Sequence, residues 1–261
     1  MRRLLLCTVV LLCSLAAVAQ QDYVGRFDAY GGWGYLNSTN ENLVQHGFHT
    51  QEGVNLNKWL SFGFDFSKLA GSTSLVANQM STKYQDQLTA AMPSIIAGLV
   101  QAGEITPAQV PAALQAASTL YVPYNASTYT ITGGPQLSYR GLKWITFFVH
   151  PSVGAYHEEV TARPGKITDP VRLAVTSGVV SAFQSAGVLD SNAKKSDTTY
   201  FYGIGGGIEL NVTKHVHIRM TSDWVKTPLF DGFLKDTVNN VRFSVGPTFT
   251  FGKNVANKKG F

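Results

Sequence analysis

Near the end of the chain, Val241, Phe243, Val245, Pro247, Phe249 and Phe251 fall on one parity, and Arg242, Ser244, Gly246, Thr248 and Thr250 fall on the other. A period of two marks a β-strand with two unlike faces. Pro247 lacks an amide hydrogen and predicts a bulge or a strand end beside it. The same alternation recurs over residues 22–36, 59–68, 128–140, 145–157, 199–211 and 215–225. One further strand is poorer. Phe48, Thr50, Glu52, Val54 and Leu56 share a parity that exposes Glu52, and a bulge near Gly53 would restore the pattern. Eight strands result. Their connections at 57–58, 140–144 and 211–215 are tight, whereas those at 37–43, 69–127, 158–198 and 226–237 are longer. Short turns on one side and long loops on the other are the signature of a barrel that crosses an outer membrane. Trp33, Tyr35, Trp59, Tyr121, Tyr124, Tyr139, Trp144, Tyr200, Tyr202 and Trp224 gather at strand ends, where amphipathic rings suit the two membrane–water interfaces.

The two longest loops, about 69–127 and 158–198, switch to a helical period. In the first, Leu88, Met92, Ile95 and Leu99 form a stripe, and a turn at Gly103 leads to Thr106-Pro107-Ala108-Gln109. That tetrad reads as a capping box with proline at the first helical position, and Val110, Leu114 and Ala117 continue the stripe. In the second, Val171, Val175, Val179, Ala182, Phe183 and Ala186 share a face, with Asp169 as cap, Pro170 first and Gly187 at the end.

Met1 to Ala19 has a basic start at Arg2 and Arg3, an apolar stretch from Leu4 to Leu15, and Ala17-Val18-Ala19 as a cleavage site. It reads as a secretory signal peptide over 1–19, with the barrel over 20–261. Both cysteines, Cys7 and Cys13, lie inside it, so the exported chain has no disulfide. No later stretch is long and apolar enough for a spanning helix, but a closed barrel needs only about ten alternating residues per strand. Charged residues make up 14% of the chain and the formal net charge is +5. The absence of a dense basic run argues against nucleic acid as a partner.

The parity opposite the apolar one is small or polar and carries charges of both signs: Arg26, Asp28, Asp65, Arg140, Glu209, Arg219, Asp223 and Arg242. An eight-stranded barrel is just wide enough for side chains to fill. Buried charges are tolerable when paired. The expectation is therefore an apolar exterior and an interior ion-pair network that plugs the lumen rather than lining a wide pore.

The signal peptide, the eight strands, the turn Asn55-Leu56-Asn57-Lys58-Trp59-Leu60 and the ending Val241–Phe251 together resemble outer-membrane β-barrel proteins of the outer-membrane-protein-A-like transmembrane type. The resemblance, which leaves out the two large loops, implies an up-and-down barrel; with the helical period of those loops added, the expected fold is an all-β, eight-stranded antiparallel up-and-down transmembrane β-barrel with helical insertions in two long extracellular loops. The resemblance also implies periplasmic termini, insertion by the barrel-assembly machinery and a structural or surface-interaction role. The family's closing aromatic residue matches Phe251 as the insertion signal, although the chain continues to Phe261.

Candidate chemistry is sparse. His150 and Ser152 share a strand face two residues apart and resemble the His-x-Ser pair of lipid A deacylases; Glu158 has the same parity. A serine nucleophile needs a base within hydrogen-bond reach and an acid that orients the base, and both side chains point inward in this register. His215 and His217 are spaced to clamp a metal across one face but have no evident third ligand; both read as interior polar groups. Gly203–Gly207 precedes no Lys-Ser/Thr helix and so is no phosphate loop; its glycines read as room for bulky interior groups. The function expected is that of a non-enzymatic integral barrel of the bacterial outer membrane. Its long loops would anchor an adhesive, structural or partner-binding surface for a protein or glycan, with outer-membrane lipids around it and no cofactor or metal. The alternatives are a deacylase-like enzyme using His150 and Ser152, or a narrow solute channel.

Overall fold

A computed structural model describes residues 23–256. The signal peptide and Phe261 lie outside the described residues. Eight antiparallel strands close on themselves in sequence order: β1 (Phe27–Ser38), β2 (Leu43–Asn55), β3 (Leu60–Val76), β4 (Tyr121–Tyr139), β5 (Ile145–Ala162), β6 (Lys194–Asn211), β7 (Val216–Thr227) and β8 (Val238–Phe251). Each strand pairs with its neighbour in sequence, and β1 pairs with β8, for example Phe27 with Phe251. This is an eight-stranded up-and-down barrel, so no backbone edge is left unpaired.

The polarity is inverted relative to a soluble domain. Phe62, Phe64, Val153, Ile204, Phe243, Val245 and Phe249 are exposed on the outside, Phe64 by 69%. Asp65, Thr130, His150, Glu209, Arg219, Asp223 and Arg242 are buried inside. The alternation of parity is therefore an alternation of solvent, lipid outside and protein inside. Trp59, Tyr139 and Trp144 cluster at the end with tight turns, and Trp33, Tyr200, Tyr202 and Trp224 lie exposed toward the other.

Several boundaries differ from the sequence expectation. β2 pairs without interruption from Phe27↔Val54 to Ser38↔Leu43, so there is no bulge at Gly53. Glu52 simply faces outward, close to the rim with the tight turns, where a lipid-facing acid costs least. Pro247 causes no shift either. β1 and β8 leave Gly31 and Gly32 without partners opposite it and resume in the same register at Trp33↔Val245. β3 runs to Val76 and β4 begins at Tyr121, so the first insertion is 77–120 rather than 69–127; the second is 163–193 rather than 158–198. Near their cap ends these long strands lose the apolar-out, polar-in pattern, because apolar residues take the inward parity there: Leu69, on the parity of Asp65, is fully buried and Val122, on that of Thr130, nearly so. Tyr124 likewise has the inward parity of Thr130, so it is buried rather than part of an aromatic girdle. The connection after β1 is also shorter than expected, only 39–42.

The insertions fold into a cap. α1 (Thr82–Gln101) and α2 (Val110–Ser118) form a hairpin through Gly103, whose φ of 73° suits glycine. α3 (Pro170–Ser185) packs on both. Asp169 Oδ1 accepts the Arg172 amide at 2.7 Å, as an N-cap should. The Thr106 box caps a 3-10 turn, Pro107–Gln109, that leads into α2; the Gln109 side chain accepts the Thr106 amide at 2.8 Å. Buried positions are Leu88, Met92, Ile96 and Leu99 on α1, and Val175, Val179 and Phe183 on α3. On α2 the small Ala113 and Ala116 face inward, while Leu114 is 53% exposed. A short helix wedged against α3 needs close approach, and alanine provides it. Leu229, Phe230 and Phe233 from the loop before β8 complete this core. No helix among the described residues is long and apolar enough to cross a membrane.

Candidate functional site

The lumen is the candidate site, and its side chains stack in layers from the tight-turn end upward. In the lowest, Asp28 accepts hydrogen bonds from Asn55 Nδ2 and the Thr250 hydroxyl, both at 2.7 Å. Arg140 donates to the Lys58 carbonyl at 2.8 Å and to Asn55 Oδ1 at 3.2 Å. In the second, Arg219 donates through Nε to Glu209 at 2.6 Å and through Nη1 to Gln51 Oε1 at 2.6 Å, with Nη2 also on Glu209. Its guanidinium lies 5.7 Å from the Tyr30 ring centre and 5.2 Å from that of Phe148. Stacking on both rings shields the ion pair from water.

The third layer is built on Arg242. It donates through Nε to Asp223 at 2.9 Å, and through Nη1 to Asp65 and Thr130, each at 3.3 Å. His49 Nε2 lies 3.4 Å from Asp65, and His150 Nε2 lies 2.9 Å from Asp223. Arg219 and Arg242 are each only 2% exposed. Packed side chains close the cross-section, so the layers form a plug.

Seven of the eight charges expected inside are there. Arg26 is the correction. It precedes β1 in a bend and is half-buried, because the first strand begins only at Phe27. Three arginines then face four acids, and His49 and His150 sit beside the two aspartates that share Arg242. Sequence reasoning missed His49, Gln51 and Asn55, all on the lumen face of β2, because Glu52 obscured that strand's parity. Of the His-x-His pair, His217 is interior and contacts Asn211 at 2.9 Å, whereas His215 is exposed and lies edge-on to Tyr23. His215 precedes β7 and so escapes its alternation. Among the described residues no group of three or more His, Cys, Asp or Glu could hold a metal ion.

His150 and Ser152 do not assemble a nucleophile. His150 turns Nε2 to Asp223, and its Nδ1 has no hydrogen-bond partner, so it holds no serine. Both residues are buried in the lumen, away from lipid. Gly205 explains itself here: a Cβ on it would collide with Asp223 Oδ1 and come within 2.8 Å of His150 Nε2. Gly205→Val is expected to cost about 1–3 kcal/mol by overpacking. Gly31→Ala, which meets nothing within 4 Å, should be near neutral. Urea unfolding of the two variants in detergent checks the contrast. Phe251 ends β8 exposed and stacks on Phe27 at 5.7 Å.

The fold and lumen define the class: a plugged, eight-stranded transmembrane β-barrel with a helical cap. The sequence matches no family model and no curated protein. Solved structures with a similar fold include the attachment invasion locus protein Ail of Yersinia pestis, in complex with the heparin analogue sucrose octasulfate (12% identity, 87% of this chain and 99% of that one, TM-score 0.45). Neisserial surface protein A is similar at 9% identity (86% and 96%, TM-score 0.47), and OprG of Pseudomonas aeruginosa at 8% (88% and 98%, TM-score 0.45).

Proposed function

We propose that the protein is a non-enzymatic integral barrel of the bacterial outer membrane that anchors a helical cap outside the cell for a structural, adhesive or partner-binding role. The observation that carries this reading is the inverted polarity joined to a plugged lumen. The outside is greasy enough to be solvated by outer-membrane lipids, and the inside leaves no wide path for solutes. The cap supports a surface role, since it spends 77–120 and 163–193 on a packed helical layer at the end away from the tight turns. Loops on a rigid scaffold commonly carry function. A protein or a glycan is the partner this surface would take. Phe251, as the closing aromatic residue of the last strand, is the candidate signal for the barrel-assembly machinery.

Protease added to intact cells should cut within 77–120 and spare the barrel. The purified protein should change gel mobility on heating, and planar bilayers should show only background conductance. A soluble, detergent-independent monomer would overturn the membrane reading. Steady conductance would instead favour a channel, and lipid A ester hydrolysis lost in Ser152→Ala an enzyme.

A further inference from the structure

Above the Arg242 layer the lumen changes character. Here Glu158 of β5 is fully buried and Glu41, from the β1–β2 turn, is 5% exposed. Every lower acid has an arginine near it, but among the described residues neither of these two forms an ion pair. The two carboxyls instead repel each other, and burial pushes the Glu41 carboxyl up from its ordinary range. Two uncompensated acids in one dry site are costly.

Neutral oxygens surround them. Glu41 accepts from the Ser38 hydroxyl at 2.9 Å. Glu158 Oε2 accepts from Thr128 at 2.8 Å and from Tyr156 at 3.2 Å, while its Oε1 has no protein partner. Asn240, also fully buried, donates through Nδ2 to the Tyr156 hydroxyl at 3.3 Å, which carries its amide into the cluster; its Oδ1 is likewise without a protein partner. Glu41 also lines a polar groove of about 270 Å³ with Asn40, Asn42, Gln79, Lys235 and Asp236. Lys195, across the apolar cavity that Glu41 borders, turns its ammonium toward the Val188 carbonyl and the Phe233 ring.

We propose that Glu41, Glu158 and Asn240 form a binding site for a hard divalent cation, of the calcium class, at the junction between the barrel and its cap. Two carboxylates neutralise a double charge, and an all-oxygen set of acids, amide and hydroxyls is the chemistry such ions take. The ion would tie the β1–β2 turn to β5 beneath the helices, so occupancy would couple cap order to the cation level outside the cell.

The test uses the full chain refolded in detergent free of lipopolysaccharide and stripped with EDTA. Terbium, a calcium mimic excited through Tyr124 and Tyr156, should luminesce with one saturable site that calcium competes away. Calcium should also raise the temperature at which the cap becomes protease-sensitive. Glu41→Gln, which changes only a turn residue, should weaken terbium binding at least about tenfold. Glu41→Gln/Glu158→Gln should abolish the calcium effect, yet be no less stable than the wild type in EDTA. Absence of tyrosine-sensitised emission would overturn the proposal. So would emission or a calcium shift that survives in Glu41→Gln unchanged.

Discussion

Arg242→Ala is expected to destabilise the barrel by about 3–5 kcal/mol, the cost of leaving buried charges without their partner. The guanidinium is shared by Asp65 and Asp223, so its loss leaves two carboxylates in the third layer with only His49 and His150 beside them. Urea unfolding in detergent measures it. Arg242→Met combined with Asp65→Asn and Asp223→Asn should recover most of the loss, because a matched apolar or neutral set no longer carries the desolvation penalty. A cost of about 1 kcal/mol or less for the single variant would mean that water reaches the layer and screens it as on a surface, and the plug would then be porous.

The second large effect lies on the other face. Phe64→Arg places a cation on the outward parity of β3, between the Trp59 end and Lys68. If that face meets hydrocarbon, the change costs about 2–4 kcal/mol in folding into lipid vesicles and lowers the yield of heat-modifiable protein. Leu114→Arg is the internal control. That leucine is exposed on α2 in the cap, outside the membrane, and its replacement should stay within about 0.5 kcal/mol. Equal tolerance at both positions would place Phe64 in water and undo the inside-out polarity on which the membrane assignment depends.

Strand number, parity and the helical character of both large insertions were legible from local pattern. A period of two needs only neighbours along the chain, and the caps at Asp169 and Thr106 and the stop at Gly187 are written within four residues of where they act. The Phe62–Phe64–Phe66 stripe announces its face without any partner strand. Gly205 was legible in kind, as space for something bulky, but not in object, since His150 and Asp223 come from the two flanking strands.

Closure decided the rest. Which charges meet depends on register across strands far apart in sequence: Arg242 reaches Asp65 over 177 residues, and Arg219 reaches Gln51 over 168. No local period encodes that distance. Arg26 has the right parity yet falls below the first rung of the ladder, and Leu114 yields its place to Ala113 because α2 approaches α3 too closely for a large side chain. Glu41 sits in a turn, where alternation carries no information, and Glu158 shows its inward parity in the sequence but not that it stands above the arginine layers without an ion-pair partner. Alternation along one chain thus determined which residues turn away from lipid, while the company each keeps was set by the radius and stagger of the closed barrel, which exist only once β8 has paired with β1.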